Sequence, residues 1–145
     1  MNAVHLIRED HRKIRELFEL ARQSESRAQT WSLYHRIRQE LLVHAQIEET
    51  VFYPVFHKYE DLQGLVEHSF DEHQEMKDLI SQIDKASRDE EISDLLDELI
   101  DTVEHHAEQE ESRLLSRAEQ ILEPQRLQQL GAMMLDAKHR HVQAA

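Results

Sequence analysis

Apolar residues recur at alternating steps of three and four along nearly the whole chain, and this period limits the fold more than any other feature. The first stripe is Val4, Ile7, His11, Ile14, Phe18 and Ala21, and the second is Ile37, Leu41, His44, Glu48, Phe52 and Val55. The third is Val66, Phe70, His73, Met76, Ile80 and Ile83, and the fourth is Leu96, Leu99, Val103, His106, Glu110 and Leu114. Each reads as one face of an amphipathic helix with charged positions on the other side. The polar stretches Ser24 to Thr30, Lys58 to Gly64 and Ser87 to Glu91 read as short connections. Pro54 inside the second stripe should kink or end that helix.

A fifth segment opens at Pro124, a residue suited to a first helical turn. It continues through Leu127, Leu130, Met134 and Leu135 to the basic run Lys138-His139-Arg140-His141, and should pack across the bundle or cap one end. The expected fold is all-α: an up-down-up-down four-helix bundle with an additional C-terminal helix. One domain should span residues 1–145, with the bundle over about 3–118 and the last helix over about 124–141. Gly and Pro occur only twice each, against ordinary usage of roughly 7% and 5%, which argues against a sheet with many tight turns.

The formal charge of −13 disfavours nucleic acid and anionic membrane surfaces as partners, because both select clustered positive charge. With no cysteine, the chain can form neither disulfides, iron–sulfur clusters nor thiolate zinc sites. The N-terminal MNAVHLIREDHRK lacks the apolar core of a secretory signal, and no apolar run approaches the ~20 residues of a membrane span. A cytoplasmic location is therefore the expectation. Histidine is the anomaly, at 11 of 145 residues.

The stripes contain an internal repeat. A shift of 62 residues places His11 on His73, Ile14 on Met76, Leu17 on Leu79, His44 on His106, Glu48 on Glu110 and Glu49 on Glu111. Two helical hairpins carry one pattern. Six polar residues of that pattern, His11, His44, Glu48, His73, His106 and Glu110, stand where Leu or Ile would ordinarily pack. Burying an ionisable group costs several kcal/mol unless it is paired or binds a metal.

In an antiparallel pair, residues at one height are equidistant from the connecting loop. The midpoints of 11 and 44, of 44 and 73, and of 73 and 106 fall at 27.5, 58.5 and 89.5, all in or at the polar connections. The four histidines should thus share one layer. Glu48 and Glu110 each lie four residues after a histidine, on the same helix face. Four imidazoles with two carboxylates that can bridge suit a metal pair about 3.5–4 Å apart. Nitrogen and oxygen donors without sulfur favour iron, with manganese or zinc less favoured.

The ordered set of His11, His44-Ala-Gln-Ile-Glu48, His73 and His106-Ala-Glu-Gln-Glu110 resembles the hemerythrin-like (HHE cation-binding) domain over about residues 3–118. The resemblance implies a four-helix bundle holding a non-haem di-iron site, with two oxo- or hydroxo-bridged irons. The histidines would be terminal ligands and the two glutamates bridges. The oxygen carriers of the family have a fifth histidine, four residues from another on the third helix. Here the positions four away from His73 are Ser69 and Lys77. The set resembles instead the four-His, two-Glu variant of bacterial members linked to nitric oxide stress and iron-centre repair. Those repair proteins share a cysteine-containing N-terminal extension, whereas this sequence has no cysteine.

The bland alternative for the six residues is a polar core satisfied by mutual hydrogen bonds, a costly arrangement for so many ionisable groups. His105 competes with His106, but stripe phase and repeat both select His106. His68, five residues before His73, could supply a fifth ligand only through a local π-bulge. Glu49 and Glu111 read as surface groups or as carboxylates that orient ligand histidines. His5, His35, His139 and His141 read as surface residues, and nothing marks Tyr53 as redox-active. The ferritin-like Glu-x-x-His pattern is absent, since no histidine has Glu three residues before it, and so is His-Glu-x-x-His.

The expected function is binding of O2, or of nitric oxide or peroxide, at a di-iron centre walled by Ile14, Ile47 and Met76, for sensing, storage or detoxification. The alternatives are a di-iron enzyme acting on peroxide or nitric oxide, and an iron donor or iron-centre repair protein. A redox partner is unspecified, and the chain should be a monomer or homodimer.

Overall fold

Asn2 starts the first helix. Its side-chain oxygen accepts the His5 N–H, one of the donors that every helix start leaves open. Helix α1 then runs Ala3–Arg22, and Ser26 caps α2 (Arg27–Ile47) the same way through the Gln29 N–H. This cap makes the first connection shorter than the polar stretch Ser24 to Thr30. Beyond Ile47 the helix widens into a π-helical segment, Glu48–Phe52, followed by a 3-10 turn, Tyr53–Phe56, near whose start Pro54 sits. The regular helix has already given way after Ile47, and Pro54, which has no N–H to donate, sits at the start of the tighter turn that follows.

The π segment adds a residue to the turn and advances the inner face by one position. Tyr53 and Phe56 are consequently buried, while Val55, expected on the stripe, is half-buried. Helix α3 covers Glu60–Lys85 and α4 Asp89–Gln109. A second π segment, Glu110–Leu115, joins α4 to α5 (Ser116–Ile121) without a break, and α6 runs Pro124–Ala144. The structure, a computed structural model, describes residues 1–144, with side chains to His141. Among the described residues there is no strand, and no helix is long and apolar enough to cross a membrane.

Helices α1 and α2 pack as one hairpin and α3 and α4 as another, while α6 lies outside them against α1, α2 and the first π segment. The architecture is the four-helix bundle with an added helix that the apolar period predicts. The core divides in two. One cluster gathers Ile14, Phe18, Tyr34, Leu41, Met76, Ile83 and Leu99 among others near the 23–26 and 86–88 connections. The other holds Val4, Ile7, Phe52, Phe56, Val66 and Leu115, and α6 adds Leu127, Leu130, Met134 and Ala137 to it. Each fully buried Leu, Ile or Phe contributes about 1.5–3 kcal/mol. The buried residues His11, His44, Glu48, His73, His106 and Glu110 belong to neither cluster. They form the layer between them.

Candidate metal centre

All six residues singled out by the repeat are buried, and Glu48 is fully so. Donor atoms of His11, His44, Glu48 and Glu110 lie within 4.8 Å of one another, and so do those of Glu48, His73 and His106. Glu48 belongs to both groups, as a bridging carboxylate would. The rings pair across each hairpin, with centroids 5.1 Å apart for His11 and His44 and 4.8 Å for His73 and His106. The Nε2 atoms face carboxylate oxygens: His44 to Glu48 at 3.0 Å, His11 to Glu110 at 3.2 Å, His73 to Glu48 at 3.3 Å and His106 to Glu110 at 3.4 Å.

Close as they are, most of these atoms do not hydrogen-bond. The Nε2 atoms of His11, His44 and His106, both oxygens of Glu48 and Oε1 of Glu110 are buried without a hydrogen-bond partner. A buried polar atom left unpaired costs about 1–3 kcal/mol, more when charged. A bound cation coordinated by these lone pairs removes that cost, so the residues present fit a metal pair.

The opposite ring nitrogens show a second layer of order. Asp10 Oδ2 lies 3.0 Å from His44 Nδ1, Glu49 Oε2 2.8 Å from His73 Nδ1, and Glu72 Oε1 2.8 Å from His106 Nδ1. Glu111 Oε1 stands in the corresponding place beside His11, 3.4 Å from Nδ1 and without a hydrogen bond. The carboxylates form a closed ring, in which each hairpin helix carries the acid that addresses the histidine of the next. Glu49 thus fulfils the orienting role its position allows. Asp10 and Glu72 escape a search for ligands, yet the 62-residue shift superposes them too, each directly before a histidine. An acid accepting from Nδ1–H fixes the tautomer and aims Nε2 at the metal.

Electrostatics follow the geometry. Burial opposes protonation of His106, but Glu110 and Glu72 outweigh it and lift its pKa to about 10. His11, His44 and His73 are raised by their carboxylates against the same burial penalty. Burial would raise Asp10, yet His44 and Lys138 hold it at about 2, and the neighbouring His11 and Arg15 hold Glu111 at about 2. The metal-free layer therefore stores protons that an incoming cation displaces.

Tyr53 is the site residue that the sequence reading passed over. Its hydroxyl donates to Glu110 Oε2 at 2.5 Å and lies 3.4 Å from His73 Nε2. Burial and the charges of Glu110 and Glu48 push its pKa well up, so it stays a proton donor. The π segment turns it inward, and the apolar stripe alone points to Val55. The available signal was the repeat, which sets Tyr53 opposite Leu115. Ser69 is buried beside Tyr53. His68 is not among the clustered donors: α3 is regular around it, its side chain is 57% exposed, and it stands 3.6 Å from Glu72. His5, His35, His105, His139 and His141 are exposed, as the stripe phase requires.

A cavity of about 20 Å³ adjoins all four histidines and is walled by Ile14, Phe18, Leu41, Met76 and Val103. It has room for a molecule of one or two heavy atoms. Ile14 and Met76 line it as expected, but Ile47 does not. Ile47 falls on the other side of the polar layer, in the cluster that contains Phe52.

A solved structure of a hemerythrin HHE cation-binding domain-containing protein from Mycobacterium kansasii superposes with a TM-score of 0.83. The match covers 97% of this chain and 87% of that one at 22% identity, which establishes likeness of fold. A protein of Nostoc sp. named DNA nickase is 32% identical over 139 residues, 95% of this chain. The match spans only 39% of that relative's length. The sequence model of the Hemerythrin HHE cation binding domain matches residues 2–118, the segment that contains all six clustered donors. By that match, and by the metal-binding cluster it encloses, the chain belongs to the hemerythrin HHE cation-binding family.

Proposed function

We propose that residues 1–145 act as one hemerythrin-like domain, a non-haem di-iron protein that binds O2 or a related small molecule. His11, His44, His73 and His106 would be terminal ligands, and Glu48 and Glu110 the bridging ones. The single observation that carries this reading is the sharing of Glu48 by two donor groups whose buried atoms lack hydrogen-bond partners. A pair of irons there would supply redox chemistry and open positions for O2, nitric oxide or peroxide. The chain's own part is to exclude water with the apolar cavity walls, to hold each imidazole by its carboxylate, and to present a proton at Tyr53 Oη. The role would be sensing, storage or detoxification in the cytoplasm.

A second reading, turnover of peroxide or nitric oxide, draws support from Tyr53. Reversible binding needs no proton donor at the bridging carboxylate, whereas reduction of an O–O bond consumes protons. Iron donation or repair of other iron centres has no comparable observation behind it. Nor does the name of the Nostoc relative bring a nucleic-acid role here, because a formal charge of −13 is ill suited to a phosphate backbone.

Anaerobic reconstitution with Fe(II), followed by O2 titration under optical spectroscopy, tests the function. A stable spectrum that reverses on removing O2 supports binding. Immediate irreversible oxidation contradicts it, and steady consumption of peroxide or nitric oxide then establishes turnover.

A further inference from the structure

Helix α6 lies beyond the matched segment 2–118 and has no counterpart in the repeat, yet one of its side chains reaches the metal layer. Its inner face runs Leu127, Leu130, Met134 and Ala137, all buried in the lower cluster. Lys138, four residues after Met134 and next to Ala137, stands at the edge of that face and is partly buried. Lys138 Nζ donates to Asp10 Oδ1 at 2.7 Å, with the two side chains 26% and 13% exposed. The other oxygen of the same carboxylate, Oδ2, receives His44 Nδ1 at 3.0 Å. One carboxylate thus spans helix α6 and a metal-layer histidine.

The repeat supplies an internal control. Glu72 addresses His106 as Asp10 addresses His44, but among the described residues no Lys or Arg pairs with it. Among the described residues its other oxygen faces the exposed His68, at 3.6 Å. Close packing anchors α6 upstream as well: a Cβ on Gly131 would collide with the Met1 carbonyl oxygen.

We propose that Lys138 is a positioning residue of the metal centre, holding Asp10, and through it His44, so that α6 is part of the site rather than a cover for the bundle. An ammonium on Oδ1 fixes the carboxylate's rotation and compensates its charge, leaving Oδ2 to hold His44 as the Nδ1–H tautomer. Without Lys138 the carboxylate can turn away, and the imidazole loses its orientation. Loss of such an outer partner costs roughly 10–100-fold in metal affinity.

The inference rests on the metal-centre reading, and release of zinc separates the two. The full chain is loaded with Zn(II), and release into excess chelator is followed with a zinc-indicator dye. Lys138→Met, which keeps the length of the side chain and removes its charge, should release one of its two ions about 10-fold faster, with the other unchanged. Lys138→Arg should restore the slow rate. Asp10→Ala should match Lys138→Met, and the double variant should be no faster than Asp10→Ala, because Lys138 acts through Asp10. The proposal is overturned if Lys138→Met releases both ions at the original rates, if it speeds both equally, or if the two substitutions multiply. A parent chain that takes up neither zinc nor Fe(II) overturns the metal-centre reading itself, and this inference with it.

Discussion

The α1–α2 and α3–α4 hairpins carry one sequence pattern twice, yet they surround their clustered His and Glu donors differently. Both place a histidine directly after an acid, and a second histidine four residues before a glutamate that opens a π segment. The differences lie around those groups. Beside the first hairpin, Lys138 of α6 fixes Asp10, while Glu72 in the second has exposed His68 near its other oxygen. Tyr53 follows the first π segment where Leu115 follows the second. The donor groups are unequal too, with four residues around His11 and His44 but three around His73 and His106. The duplicated frame keeps the clustered donors in both halves, and the differences lie in what surrounds them.

The largest expected effect would come from the residue both groups share. Glu48→Ala should drop metal content after iron supplementation from about two ions per chain to below one, whereas His106→Ala should leave about one ion in the four-donor group. Equal content in the two variants would break the comparison. His73→Ala should lose metal as His106→Ala does, and exposed His35→Ala should not. Tyr53→Phe should keep both ions but lower peroxide or nitric oxide consumption at least ~10-fold, because the proton donor is gone. Unchanged consumption would show that the asymmetry between Tyr53 and Leu115 has no chemical role.

Acidity offers a third test. In the metal-free protein, histidines raised above their ordinary value stabilise the fold through their charged forms. That contribution is complete below the unfolded value of about 6.5 and is lost as pH rises through about 10, the value for His106. The melting temperature of the metal-free chain should therefore fall between about pH 7 and 10. The loaded chain should hold steady there, because metal has displaced those protons. The smallest effects concern the two glycines. Gly64→Ala in α3 meets nothing within 4 Å and should raise stability by up to ~1 kcal/mol. Gly131→Ala should cost about 1–3 kcal/mol, since it pushes α6 off the start of α1. Calorimetry giving both substitutions one sign would remove the special seating of α6.

Most of the bundle was legible because its helices are amphipathic and its ligands interrupt an otherwise apolar period. The layer of His11, His44, His73 and His106 followed from loop midpoints, which need only antiparallel neighbours of equal rise per residue. The π segments were not legible. Each inserts a residue without any Gly or Pro to mark it, and the resulting change of phase hid Tyr53 and misdirected Val55. Ile47 was misplaced for a related reason. It sits three residues after His44, but its side chain points below the polar layer, where the cavity does not extend. Asp10 and Glu72 were present in the repeat but lie off the apolar stripe, where a search for interruptions does not look. The contact of Lys138 with Asp10 joins residues 128 apart in sequence, and no period connects them.

The central claim is that two metal ions bind in unequal surroundings around one shared carboxylate. Anaerobic Fe(II) titration of the metal-free chain, read by equilibrium binding and metal analysis, tests it most directly. Two ions per chain should bind in two resolvable steps, the tighter one abolished by His44→Ala and the weaker one by His106→Ala. Uptake of less than one ion per chain, or a single step that either variant removes completely, would contradict the account.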